Sequence, residues 1–335
     1  VWQAGCLTLE WSTCGKLAVR ITPRLCARSI RNNHKLNGKR TLMGDYSIWV
    51  LEHAAVEKFP LSVMLYGPQY QGIRKLPYAY ALLKGNGQTI LIDTGYDHVN
   101  YGKTLAELYG VTNFHGPAEV LSECSVTPAD ITAVFITHAH FDHMGAIDHF
   151  PNATFYIQQR EIDKWVWALT LGPEYRFLIG AADPADIVKA VELTRQGRMI
   201  AIDGDRNDVL PGIDVRLAAD THTYGSMYVT VRNDGARDSQ DTWIFAGDLL
   251  YTYDNLTGLD KNNPEFVPIG LAVGSQSNLI FATAAMLKAV GGEHRRVIPI
   301  HEERLKDMFP SRLTSAGLQV VEITLSAGET SKVSS

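Results

Sequence analysis

Thr137-His138-Ala139-His140-Phe141-Asp142-His143 is the stretch on which the reading of this chain turns. Three imidazoles and a carboxylate follow directly on the apolar run 131–136, which reads as a buried strand. Neutral imidazole and carboxylate are the donors that borderline cations such as Zn²⁺ accept. A strand ending in a tight turn can aim His138 and His140 at one point, and Asp142 and His143 at a second. Four such groups gathered without a cation would be poorly satisfied.

The same arrangement, a polar residue just past an apolar run, recurs along the chain. Asp93 follows 90–92, His222 follows 215–219, Asp248 follows 243–247 and His301 follows 297–300. Each alone is ordinary. Together with the dense cluster they read as active-site groups carried on the loops of a rigid scaffold. The pattern around them is α/β. Runs 78–83 and 89–92 flank Asn86-Gly87, a hairpin signal. Further strands are expected at 153–157, 214–218, 227–231, 242–246, 296–300 and 318–325. Helices are expected at 104–109, from Arg160, and at 278–290 with Ser277 or Asn278 as cap and Gly291-Gly292 as stop. Strands followed by helices, repeated, imply sheets covered by helices. Residues 171–198, with Gly-Pro and Asp-Pro turns before a helical stretch at 185–195, read as a lid insertion or a plain surface helix.

His-x-His-x-Asp-His, with a later His, Asp and His in that order, resembles the metallo-β-lactamase superfamily over roughly residues 76–301. The resemblance implies a four-layer αβ/βα sandwich with its site at one edge of two sheets. It implies two divalent metal ions, Zn²⁺ favoured. His138, His140 and His222 would hold the first, Asp142, His143 and His301 the second, and Asp248 would bridge them. Asp93 would orient ligand histidines by accepting their other ring N–H. The implied reaction is hydrolysis by a hydroxide shared between the metals. Redox use is disfavoured, since the oxygen-reducing members carry Glu where this chain has His140.

Tyr251, three residues past Asp248, and the closing Ile300-His301-Glu302-Glu303 look like the N-acyl homoserine lactonase branch. There a tyrosine at this spacing points at the substrate carbonyl, and its phenol can donate to a developing oxyanion. A plain pocket-wall tyrosine is the other reading. The implied activity is opening of a lactone or related ester, of the quorum-quenching kind, with Asp142 shuttling the proton. The chain departs from many relatives at His222-Thr223-Tyr224-Gly225-Ser226, where they have His-Thr-Pro-Gly-His. Trp165, Trp167, Tyr175, Phe177 and Phe266 could line an apolar pocket or simply be core. A glyoxalase II-like thioester hydrolase and a non-catalytic metal-bound sensor or scaffold are the alternatives.

Charge is unevenly spread. Residues 1–42 hold eight Lys or Arg and one acid, a net +7; the remaining 23 basic and 35 acidic residues leave the body at −12. An acidic body is repelled by phosphates, so neither nucleic acid nor an anionic membrane is an expected partner. No apolar run approaches the ~18 residues of a membrane span. The expected partner is a small lactone or ester, with a homodimer allowed. Residues 1–42 read as a basic N-terminal extension: a targeting segment, a non-native stretch ahead of Met43, or a real arm. Cys124 is the one body cysteine, which points to a reducing, cytoplasmic setting. The hydrolase domain is expected over 43–325, and 326–335, polar and small, as a flexible tail.

Overall fold

The computed structural model describes residues 46–334 except 261 and 263, with the backbone of two short strands, β1 (Glu10–Trp11) and β2 (Leu17–Ala18). β1 and β2 pair antiparallel within a separate compact unit, Val1–Thr41. The reading of 1–42 as a basic extension otherwise falls outside the described residues. All that follows concerns the second unit, Leu42–Ser335.

Its strands are β3 (Ser47–Pro60), β4 (Ile73–Gly85), β5 (Gln88–Ile92), β6 (Ala133–Phe135), β7 (Thr154–Gln158), β8 (Met199–Ile202), β9 (Arg206–Leu210), β10 (Ile213–Leu217), β11 (Met227–Arg232), β12 (Thr242–Phe245), β13 (Val297–Ile298), β14 (Ser311–Leu313) and β15 (Gln319–Thr324). Its helices are α1 (Leu61–Met64), α2 (Asn100–Tyr109), α3 (Pro117–Ser122), α4 (Phe141–Met144), α5 (Gln159–Ala168), α6 (Pro184–Arg195), α7 (Asp254–Thr257), α8 (Gln276–Ala289) and α9 (Leu305–Met308). The larger sheet has the order β14-β15-β3-β4-β5-β6-β7-β8, and the smaller β13-β12-β11-β10-β9.

Side-chain alternation explains the layering. In the larger sheet Ile48, Leu83 and Ile90 stand in one cross-strand row, and Trp49, Leu82, Leu91 and Val134 in the next. The first row faces a core shared with Val215, Val229 and Phe245 of the smaller sheet. The second row is covered by helices: Val120 and Leu121 of α3, Ile162 and Trp165 of α5, and Ile187, Ala190 and Leu193 of α6. Leu279 and Met286 of α8 pack on the smaller sheet's side of the core. The result is the expected four-layer αβ/βα sandwich. Truncating a fully buried aromatic such as Trp49 or Phe135 to Ala would cost about 3–5 kcal/mol.

Strand direction brings the loops of interest to one edge. β5, β6 and β7 run parallel, so Asp93 and the 137–143 loop emerge from the same end of the larger sheet. β10 and β12 each run antiparallel to β11, and β13 runs parallel to β12. His222, Asp248 and His301 therefore leave the smaller sheet at one end too. Met227 N–H, at the start of β11, donates to the Thr137 carbonyl at 2.9 Å and ties the two ends together.

Three local expectations need amendment. The Asn86-Gly87 turn forms as read, with φ of +50 and +71. The cap of α8, however, is Ser275, whose hydroxyl accepts from Asn278 N. Residues 171–198, read as a lid insertion or a plain surface helix, divide in two. α6 buries Ile187, Ala190 and Leu193 and delivers the chain to β8 as part of a helical layer. The stretch before it forms a 3₁₀ turn over Pro173–Ile179, and Phe177, Gly180 and Ala181 line a cavity beside His140 and His222. Of the segment 326–335, expected to be flexible, the described residues are fastened: Ser326 bonds Ser47, Glu329 pairs with Lys84, and Lys332 bonds both Glu322 and Arg312. Its short polar side chains supply turn and strand-edge partners that composition alone does not reveal.

Candidate metal centre

The ligand candidates arrive from four strand ends. His138 and His140 follow β6, Asp142 and His143 lie in α4, His222 follows β10, Asp248 follows β12 and His301 follows β13. All seven are buried, and they form two groups: His138, His140, His222 and Asp248, then Asp142, His143 and His301. Asp248 faces both groups. Its Oδ2 lies 3.1 Å from His222 Nε2 and 3.6 Å from His138 Nε2. Its Oδ1 lies 3.0 Å from His301 Nε2 and 3.2 Å from His143 Nε2. Asp142 Oδ2 stands 3.5 Å from His143 Nε2 and 3.8 Å from His301 Nε2.

The outer ring nitrogens fix the tautomers. His222 Nδ1–H donates to the Leu271 carbonyl at 2.8 Å, and His301 Nδ1–H to the Pro77 carbonyl at 2.5 Å. His143 Nδ1–H donates to Asp93 Oδ2 at 2.8 Å. Asp93 also accepts from Thr137 N and from the Thr137 hydroxyl. That hydroxyl can in turn accept from His138 Nδ1–H at 3.1 Å. Asp93 thus reaches one histidine of each group, directly and through Thr137. It holds φ +65, and Gly247 beside Asp248 holds φ +52, where a Cβ would lie 2.7 Å from Thr137 Oγ1.

With the protons outward, the inner nitrogens present lone pairs to one another and to carboxylates. His140 Nδ1 lies 2.9 Å from His222 Nε2 and 3.1 Å from His138 Nε2. His143 Nε2 and Asp248 Oδ1 are buried without any hydrogen-bond partner. Lone pairs converging in a dry site repel unless a cation sits among them. The donor set therefore fits two divalent cations. Burial and neighbouring imidazoles push His138 and His140 well below the ordinary imidazole range, leaving them neutral, whereas against burial the Asp248 and Asp142 carboxylates raise His143 and His301 above it. Burial opposes the charge of Asp248, yet the surrounding imidazoles hold its carboxyl well below the usual range.

Tyr251 is buried beside the groups, its ring 5.4 Å from that of His301 and 6.0 Å from that of His222. Burial, then the Asp248 and Asp142 charges, raise its phenol well above its ordinary value, so it keeps its proton. Two adjoining cavities open onto the centre. One, of about 370 Å³ of empty space, is lined by Phe59, Leu76, Tyr78, Asp142, Tyr251 and His301 among others. The second, of about 460 Å³, runs past His140 and His222 between Trp165, Phe177, Leu271 and Val273. Of the aromatics singled out in the sequence, Trp165 and Phe177 thus line a cavity. Trp167 and Tyr175 are exposed and Phe266 half-buried, away from both.

Two residues escaped the sequence reading. Glu161 of α5 is fully buried and accepts four hydrogen bonds around the His138–His140 and His222 loops. A signal existed, since Glu161 and Trp165 stand four apart on the face that α5 turns inward. His53 of β3, buried, stacks on Tyr80 beneath the Asp93–Gly95 turn. Burial, then His143 and His301, push it down to about 3, so it stays neutral.

The family model of the metallo-beta-lactamase superfamily matches residues 74–301, more than half of the chain. The chain belongs to the metallo-β-lactamase superfamily. Within that superfamily it is 31% identical over 157 residues to the N-acyl homoserine lactonase AttM of Azorhizobium caulinodans, covering 44% of this chain and 49% of that one. It is 23% identical over 193 residues to the N-acyl homoserine lactonase AiiB of Agrobacterium fabrum, covering 54% of this chain and 65% of that one. The match therefore spans about half to two thirds of the length of these curated relatives. Among solved structures, AidC, a dizinc quorum-quenching lactonase with a bound product, superposes with a TM-score of 0.57 at 18% identity, covering 84% of this chain and 96% of that one. A probable metal-dependent hydrolase from Staphylococcus aureus gives 0.57 at 18% identity, covering 78% and 91%. At such identities the superpositions establish the metallo-β-lactamase fold. No helix among the described residues is long and apolar enough to cross a membrane.

Proposed function

We propose that the chain is a two-metal hydrolase that opens lactones or closely related carboxylic esters. The observation that carries this reading is the placement of Asp248, one carboxylate oxygen toward each donor group, with Tyr251 lining the same cavity. In this reading His138, His140 and His222 hold one cation, Asp142, His143 and His301 the other, and Asp248 spans both. Zn²⁺ suits the nitrogen and oxygen donors. Two such cations supply an acidified water and polarise the oxygen of an electrophile.

The chain's own residues do the rest. The cavity walls, Phe59, Leu76 and Leu271, exclude water and take the apolar part of a substrate. Tyr251 O–H donates to the carbonyl oxygen as it gains charge. Asp142, which lines the cavity, takes the proton that the attacking water gives up as it adds to the carbonyl carbon and returns it to the departing alkoxide. No Lys or Arg is among the described residues that line either cavity. That favours a neutral lactone or ester over the carboxylate-bearing thioesters of a glyoxalase II-like enzyme.

The test is a panel run on metal-loaded protein: acyl lactones of graded tail length, an aryl ester, a glutathione thioester, a phosphodiester and a chromogenic β-lactam. The reading expects kcat/KM highest on lactones or simple esters. Preference for the glutathione thioester refutes it, and metal binding with no turnover on any substrate supports the scaffold alternative.

A further inference from the structure

We propose that Glu161 is a positioning residue for the three-histidine half of the centre: its carboxylate sets the spacing between the His138–His140 loop and the His222 loop. The inference rests on the metal-centre reading given above.

Glu161 sits in the first turn of α5, and its side chain is sealed from solvent. Oε1 accepts from Ala139 N, the amide between His138 and His140, at 2.8 Å, and from Trp165 Nε1 at 2.8 Å. Oε2 accepts from the Thr223 hydroxyl at 2.9 Å and from Gly225 N at 2.6 Å, both just past His222. One carboxylate therefore joins the two backbone segments that carry His138, His140 and His222. Trp165, anchored by the same carboxylate, lays its ring 5.8 Å from that of His140.

The approach of the His222 loop to α5 leaves no slack. A Cβ on Gly225 would lie 2.4 Å from Glu161 N and 2.9 Å from its Cα. Arg160 grips the same loop from outside, bonding the Tyr224 carbonyl at 2.9 Å and both oxygens of Asp220. Asp142, His143 and His301 receive no bond from α5; His143 and His301 are oriented by Asp93 and Pro77 instead. A buried carboxylate that accepts four bonds also costs desolvation. A neutral, well-packed side chain would serve a purely structural junction equally well. The charge draws all four donors to one point, and with them the loops whose separation decides whether three imidazole nitrogens can share a cation.

The experiment prepares metal-free wild type, Glu161→Gln and Thr223→Val. Each is titrated with Co²⁺ while the ligand-field absorption is followed, and with Zn²⁺ against a chromophoric chelator. A Gln carboxamide has one accepting oxygen, so at least two of the four donors lose their partner. The expected result is a 10–100-fold weaker affinity for one of two metal equivalents. The cobalt spectrum of that equivalent changes and the other stays as in wild type. Thr223→Val, which removes one of the four bonds to Glu161 together with the Thr223–Ser226 hydroxyl contact, shifts the same equivalent by a smaller factor and keeps the test decisive should Glu161→Gln fail to fold. Unaltered affinity and spectrum at both equivalents, even with a lower Tm, would overturn the proposal, leaving Glu161 a packing residue. A wild-type chain that takes up no metal instead refutes the metal-centre reading, and this inference falls with it.

Discussion

Replacing Asp93 by Asn tests the centre through a residue that the reading keeps off the metal. Asp93 Oδ1 accepts from Thr137 N at 2.7 Å; Oδ2 accepts from Thr137 Oγ1 at 2.9 Å and His143 Nδ1 at 2.8 Å. Asn has the same shape and tolerates the φ of +65, so the turn survives. If its oxygen stays on Thr137 N, its NH₂ group faces His143 Nδ1. That nitrogen must then accept, and the ring proton moves to Nε2, the atom 3.2 Å from Asp248 Oδ1. A protonated Nε2 has no lone pair to offer. Restoring the correct tautomer forfeits a charge-assisted hydrogen bond, about 1.5–3 kcal/mol. At ~1.4 kcal/mol per decade this is roughly 10–100-fold in affinity for one equivalent. The assay is titration of metal-free protein with Zn²⁺ against a chromophoric chelator, with Tm measured in parallel. Two equivalents bound with wild-type affinity by a folded D93N protein would refute the reasoning.

Other outcomes follow from the same geometry. Tyr251→Phe should keep both metal equivalents and lose about 10²–10³ in kcat on a lactone, the range for one oxyanion donor; unchanged kcat removes that role. Chelation should lower Tm, because inward lone pairs lose their cation. Saturating Zn²⁺ at ~1,000 Kd should restore about 4 kcal/mol, and a Tm indifferent to metal contradicts the fit of the donors. Asp186, pushed up to about 8 by burial and then by Asp183, Asp148 and Asp97, favours its protonated form in the fold. Its contribution is whole below pH 3.8 and is lost as pH rises to about 8. Asp186→Asn should therefore melt above wild type at pH 8 and level with it near pH 3.5. An equal gap at both pH values counts against this.

The 137–143 loop was legible because its donors are contiguous, and His222, Asp248 and His301 because each closes an apolar run. β3 was not anticipated, although it is the longest strand. Its residues Ser47–Val56 are buried on both faces, which erases the alternation that marks a half-exposed strand. β9, with its exposed Arg206, Asn207 and Asp208, offers only Val209 and Leu210 as apolar residues, too few to mark a strand. Glu161 carries no sequence signal beyond its spacing from Trp165, because its other three donors, Ala139 N, the Thr223 hydroxyl and Gly225 N, come from loops distant in sequence. The cap of α8 was misplaced by two or three residues, since Ser275, Ser277 and Asn278 all suit the position and only the backbone path chooses among them.

The donors differ in when they come into being. On a ribosome adding ~5–20 residues per second, the 138–143 tetrad emerges on the order of ten seconds before His301. During that interval a nascent chain offers an ion an incomplete grip, with β12 and β13 still unmade. On the proposed two-metal reading, neither donor group is complete until the second sheet docks, and an ion bound earlier would gain its remaining ligands only then.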